Sequence, residues 1–142
     1  MPASHRIVVP VEWGDTDAAG IVFYPNYYRW FDRAAHALLR AIGFAPDELL
    51  RRGCVVPLID SGARFLAPIV YGDEVEIEST VAEMRTRTFR LEHRVRRGSE
   101  LVAEGFEVRV WARAGVGSPP EIRMEAIPDE VRVRLLDAPG AR

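Results

Sequence analysis

Two carboxylates stand two residues apart at the head of an aromatic-rich run, "WGDTDAAGIVFYPNYYRWFD", residues 13–32. A loop aspartate can take a proton, attack an electrophile, or only accept the backbone hydrogen bonds that shape a turn. Asp15 and Asp17 lie between Gly14 and Gly20, a setting in which aspartate most often serves the turn. Asp32 sits on the flank of an apolar segment. A carboxylate is costly there unless something pairs with it, and Arg29 and Arg33 are nearby candidates. A second group is cationic: "EMRTRTFR", residues 83–90, supplies Arg85, Arg87 and Arg90. Arginines in such a segment are ordinarily solvated, but their guanidinium forks are also what phosphate groups bind. Other catalytic systems find little support. Ser61 in "DSG" lacks the flanks of a nucleophile elbow. Cys54 has no evident histidine partner and reads as a packing residue. His5, His36 and His93 are not spaced as metal ligands. Neither a P-loop nor a dinucleotide fingerprint is present, so no metal and no cofactor is expected.

The elements that must position these residues can be read from periodicity. "HRIVVPVEW" places Ile7, Val9, Val11 and Trp13 on one face of a strand. Pro10 on the other face implies a free edge. Residues 14–24 form a loop. A helix then starts near Pro25 or Asn26 and stops at Gly43, with a short second helix over Pro46–Arg52. In the long helix Asn26, Arg29, Arg33, His36 and Arg40 form one narrow polar stripe, with Asp32 at its edge. The remainder is apolar, so the helix is expected to be buried over far more than the usual face. Downstream, "CVVPLIDSGARFLAPIVYGD" reads as one strand, broken or bulged near Gly62. Val75, Ile77 and Val81 then alternate with polar residues. Phe89, Leu91, His93 and Val95 do the same, as do Phe106, Val108 and Val110 with Glu107 and Arg109 between them. These are half-buried antiparallel strands. His93, on an inward face, reads as a satisfied core histidine. Gly115–Pro120 is a loop, and "IPDEVRVRLLD" is either a short closing helix or a loose tail. The fold class is therefore α+β: one long central helix wrapped by a curved antiparallel sheet of about five strands.

Composition narrows the class. A chain of 142 residues with 48% hydrophobic and 28% charged residues suits one domain, 1–142, with a real core. The net charge of −2 gives no support to nucleic-acid binding. No apolar run approaches the roughly 20 residues of a membrane span, and the first residues lack a signal-peptide core. A single cysteine excludes an intrachain disulfide and points to a reducing cytoplasm. All 19 basic residues are arginine, which reads as the coding bias of a GC-rich, bacterial genome.

The motif "GDTDAAGIVFYPNYYRWFD" resembles the signature of the 4-hydroxybenzoyl-CoA thioesterases, within the hotdog-fold acyl-CoA thioesterase family. Gly14, Asp15, Asp17, Gly20, Val22, Tyr24 and Tyr27 match the family pattern. Pro25, Asn26, Arg29, Trp30 and Asp32 bring it nearer the hydroxybenzoyl branch, while Ala18 stands where that branch often has proline. The resemblance continues more weakly to about residue 113. It implies hydrolysis of an aromatic acyl-CoA such as 4-hydroxybenzoyl-CoA to the free acid and coenzyme A. It further implies Asp17 as nucleophile or general base, and the backbone N–H of Tyr24 as the donor that polarises the thioester carbonyl. Tyr27 would line the acyl pocket, Asp32 would accept a hydrogen bond from a substrate hydroxyl or pair with arginine, and Arg85 and Arg87 would contact the coenzyme A phosphates. The remaining readings are a generic acyl-CoA thioesterase of the cell-envelope-associated type and a noncatalytic acyl-CoA-binding module. A dehydratase of this fold would carry a histidine in the loop. The excess of apolar helix surface and the free sheet edge imply a homodimer or homotetramer with sites at subunit interfaces.

Overall fold

The computed structural model describes residues 1–137. Its main sheet is antiparallel, in the order β1 (Ser4–Pro10), β4 (Glu74–Met84), β5 (Thr88–Arg97), β6 (Glu100–Val110) and β3 (Leu58–Phe65). The consecutive strands β4, β5 and β6 form a meander. β1 and β3 flank it, and among the described residues the outer edge of each is unpaired. Alternation decides the inner face of the central strands. β4 buries Val75, Ile77, Ser79 and Val81, and β5 buries Phe89, Leu91, His93 and Val95.

Against this face lies α1 (Pro25–Ala41). Proline at its first position has no N–H to leave unpaired. Gly43, with φ +94°, takes the left-handed conformation that ends it. Tyr27, Trp30, Phe31, Ala34, Ala35, Leu38 and Leu39 are buried beneath it. The approach is close at Gly105 of β6, where an added Cβ would fall 2.4 Å from the Phe31 ring. Two shorter helices complete the described chain, α2 (Pro46–Arg51) and α3 (Asp129–Leu136). The C-terminal segment is a closing helix, not a loose tail. Val131 and Leu135 enter the core, Ala3 N donates to Leu135 O at 2.9 Å, and Arg134 donates to Ile42 O at 2.8 Å. A second, small sheet joins β2 (Cys54–Val55), β7 (Ala112–Ala114) and β8 (Ile122–Met124). Cys54 is buried and unpaired. No helix among the described residues is long and apolar enough to cross a membrane.

Four details differ from expectation, each for a physical reason. First, the exposed side of α1 is broader than one polar stripe. Tyr28 and Ala41 are exposed, whereas Asn26 is buried, its Nδ2 donating to Asp15 O at 2.8 Å. A single sheet covers one side of a helix only. Second, residues 54–73 are not one strand. Pro57 separates β2 from β3, β3 runs unbroken through Gly62, and the register shifts between Leu58 and Asp60 instead. Third, Trp13 does not continue β1. It opens a 3₁₀ turn over Trp13–Asp15, is 75% exposed, and meets Tyr71 edge-on at 5.5 Å. Fourth, β6 is inverted over residues 106–109 relative to its apparent pattern, although Val110 is buried as expected. Glu107 and Arg109 are buried, 2% and 3% exposed, while Phe106 and Val108 are only half-buried. Pairing across the sheet fixes this phase, with Gly105 opposite His93 and Glu107 opposite Leu91.

Candidate active site

The loop after β1 is held open by its own backbone. Asp15 anchors it: its Oδ2 accepts from Glu12 N at 2.8 Å, and its carbonyl accepts from Phe23 N and from the Asn26 amide. Asp15 thus orders the loop and ties it to α1. Asp17 is placed differently. Its N–H donates to Ile21 O, its carbonyl accepts from Gly20 N, and its Oδ1 accepts from Ala19 N at 2.8 Å. Gly20, at φ +81°, makes the tight return possible. No hydrogen bond reaches Asp17 Oδ2 among the described residues, and the side chain is exposed.

Asp17 opens onto a cleft of about 350 Å³, lined also by Val22, Tyr24, Tyr27, Phe65, Pro68 and Ile69. The start of α1 forms one wall. Tyr24 is the residue preceding Pro25, and its N–H has no hydrogen-bond partner among the described residues. A free N–H at the start of a 17-residue helix, with no acidic side chain in the first turn, carries the partial positive charge of the helix dipole. Tyr27, in the first turn of the same helix, is buried, its ring 4.8 Å from Phe65 and 5.4 Å from Trp30. Burial pushes its phenol pKa up, against the smaller opposing effect of the Arg97 charge. The lip at residues 68–70 is clamped. Arg97 donates to Pro68 O at 3.1 Å and to Asp73 Oδ2 at 2.8 Å, and Val70 N donates to the same carboxylate. The Val70 bond first, then that from Arg97, hold the Asp73 carboxyl below its ordinary pKa.

Asp17, Tyr24 and Tyr27 are therefore brought together, and the other candidates are not. Asp32 lies further along α1 in a separate depression with Tyr28, Arg29 and Arg33. It is paired with arginine, but with Arg109 of β6 at 2.8 Å rather than with Arg29 or Arg33, and its Oδ2 lies 3.4 Å from His36 Nδ1. Arg85 and Arg87 stand in the β4–β5 turn, exposed, with Arg85 paired to Glu83 at 2.6 Å. The Asp17 loop leans on the other end of β4, where Val11 N donates to Asp73 O. With 11 residues in β4 at about 3.3 Å each, roughly 35 Å of strand lies between. Arg90 instead stacks on Phe106, 4.1 Å from its ring, on the outer face of the sheet.

The buried charges of β6 escaped the sequence reading. His93 Nδ1 is 2.7 Å from Ser79 Oγ, and its Nε2 donates to Glu107 Oε1 at 3.0 Å. Arg109 Nη2 donates to Glu107 Oε2 at 3.0 Å. Burial alone would raise the Glu107 carboxyl pKa, but the His93 hydrogen bond and the Arg109 charge outweigh it and leave that pKa below the ordinary value. The signal available in the sequence was His93 itself: a histidine on an inward face requires a polar partner on the neighbouring strand. Among the described residues no group of three or more His, Cys, Asp or Glu is placed to hold a metal ion.

This antiparallel sheet with its covering helix is the hotdog fold of the thioesterases. The chain belongs to the thioesterase-like superfamily, whose family model matches residues 11–135. It is 34% identical over 133 residues to the 4-hydroxybenzoyl-CoA thioesterase of Pseudomonas sp. (strain CBS-3), covering 92% of this chain and 88% of that protein. The solved structure of that enzyme superimposes with a TM-score of 0.83 at 31% identity, covering 92% of this chain and 97% of that one. A solved gentisyl-coenzyme A thioesterase gives a TM-score of 0.80 at 38% identity, covering 90% of this chain and 99% of that one.

Proposed function

We propose that this chain, a thioester hydrolase acting on acyl-CoA, takes a hydroxylated aromatic acyl group and cleaves it with Asp17. The reading rests on one observation above all. Asp17, with one carboxylate oxygen free of hydrogen bonds among the described residues, and Tyr24, whose N–H at the helix start has no partner among them, line the same cleft. Hydrolysis needs a nucleophile, or a base that activates water, together with a donor for the oxygen on which charge develops. Asp17 supplies the first and the Tyr24 N–H the second. If Asp17 attacks, the thiolate of coenzyme A leaves and a mixed anhydride forms, which water then cleaves to the free acid. If Asp17 acts as base, it takes the proton of the attacking water and the same products follow.

The hydroxylated aromatic substrate is supported by the relatives, both of whose names specify a hydroxybenzoyl-type group, and by the aromatic walls of the cleft. Asp32 is the residue we assign to the ring hydroxyl. Because Asp17 and Asp32 occupy separate depressions in one chain, this reading requires a second copy. In a homodimer Asp17 of one chain meets Asp32 of the other, and Arg85 and Arg87 reach the coenzyme A phosphates across the interface. Free-thiol release measured on a panel of acyl-CoA substrates tests the reading. 4-Hydroxybenzoyl-CoA or gentisyl-CoA is expected to have the highest kcat/KM. Asp17→Asn should lower kcat at least about a hundredfold with the fold intact. A preference for short aliphatic acyl groups would overturn the substrate class, and near wild-type turnover by Asp17→Asn would overturn the mechanism.

A further inference from the structure

A line of polar side chains runs through the core and ends at the surface on Asp32. It comprises Ser79, His93, Glu107 and Arg109, each buried, and every link is within hydrogen-bond distance: 2.7 Å from Ser79 to His93, 3.0 Å from His93 to Glu107, 3.0 Å from Glu107 to Arg109, and 2.8 Å from Arg109 to Asp32. Both Glu107 oxygens are taken, one by His93 and one by Arg109. The same Arg109 Nη2 bridges the two carboxylates, while Nη1 donates to Val56 O at 2.9 Å. Arg109 is thus gripped from three sides, and its Nε is buried with no partner among the described residues. Phe31, the residue before Asp32, stacks flat on His93 with centroids 4.8 Å apart and planes 4° from parallel. The line therefore grips α1 twice, by the Phe31 ring and by the Asp32 carboxylate.

Stability does not account for this arrangement. A buried ion pair exchanged for apolar residues of like volume is often neutral or even stabilising, and an unpartnered Nε adds to the cost. We infer that Glu107 and Arg109 are positioning residues for substrate discrimination: they fix one oxygen of Asp32 so that the other is presented to the hydroxyl of the acyl group. Asp32 is otherwise an exposed side chain on a helix, with His36 Nδ1 3.4 Å from Oδ2 as its one other polar neighbour among the described residues. With Oδ1 held by Arg109, the orientation of Oδ2 is set from within the core. An acceptor fixed before binding distinguishes a ring with a hydroxyl from one without it better than a mobile acceptor does.

This inference rests on the assignment of Asp32 to the ring hydroxyl, and the test separates the two. The readout is the ratio of kcat/KM for 4-hydroxybenzoyl-CoA to that for benzoyl-CoA, in variants whose fold is verified by circular dichroism. Glu107→Gln keeps size and shape but releases the grip on Arg109. Arg109→Gln removes the contact to Asp32. Each is expected to lower the ratio about tenfold, mostly through the hydroxylated substrate. In the Asp32→Ala background, Glu107→Gln should leave the ratio where Asp32→Ala alone puts it, because the residue acts through Asp32. If Asp32→Ala lowers the ratio but Glu107→Gln lowers both substrates in equal proportion, or neither, the positioning role is overturned and the role of Asp32 stands. If Asp32→Ala itself leaves the ratio unchanged, the assignment of Asp32 falls, and the positioning role with it.

Discussion

Glu107 is the residue on which the most unlike forces meet. It is ionised inside the sheet because His93 and Arg109 together outweigh its desolvation. Its carboxyl pKa in the folded chain lies below that of the unfolded chain, so the ionised form is bound more tightly by the fold. The resulting stability is fully present above the ordinary carboxylate value of 4.5 and is lost as pH falls through the depressed folded value. Acid unfolding followed by circular dichroism should therefore steepen below pH 4.5. Glu107→Gln is expected to be about 1–3 kcal/mol less stable at neutral pH, with a shallower loss on acidification. Asp17 is the counterpart: exposed, in a loop, with one oxygen committed to Ala19 N and one uncommitted among the described residues. The first carboxylate is fixed by its neighbours, whereas the second is left available to a ligand.

At the scale of elements, what was legible in the sequence follows from whether the deciding interaction is local. The limits of α1 were legible because Pro25 and Gly43 act on their own backbone. The inner face of β5 was legible because Phe89, Leu91 and Val95 leave only one phase for burial. The phase of β6 was not. Glu107 and Arg109 are inside only because His93 and Asp32, from two other elements, are there to meet them, and no local pattern carries that information. The candidate cleft was legible in Asp17 and Tyr24 of the loop and Tyr27 of α1, but not in its lip, which depends on Asp73 and Arg97 far along the chain. The two- and three-residue strands of the small sheet are too short for any period to show. The contact of α1 with β6 makes its own prediction. Gly105 faces the Phe31 ring with no room for a methyl group, so Gly105→Ala should cost about 1–3 kcal/mol in chemical denaturation while leaving the Asp17 loop untouched.

At the scale of the whole molecule, the described chain leaves apolar surface uncovered. Leu58, Ile59, Phe65 and Leu66 are exposed along and just beyond β3, whose outer edge is unpaired. Long open edges invite further strand pairing. A dimer that joins two β3 edges would cover both features, and it would supply the second copy that the proposed site requires. Sedimentation is expected to show no monomer at micromolar concentration, and Ile59→Lys should shift the chain toward monomer and reduce thioester hydrolysis in parallel. An active, monodisperse monomer would overturn the shared site.

The three tryptophans divide sharply in their surroundings. Trp30 and Trp111 are enclosed in the core, while Trp13 stands in water beside Tyr71, at the head of the loop that carries Asp17. The molecule thus contains a natural optical probe of the loop that carries Asp17. A collisional quencher such as iodide reaches one indole of the three, so the quenchable fraction of the emission reports that loop, and the red-shifted part of the spectrum belongs to it. Closure of the loop over an acyl-CoA, or its burial against a second chain, would be visible as light without a label.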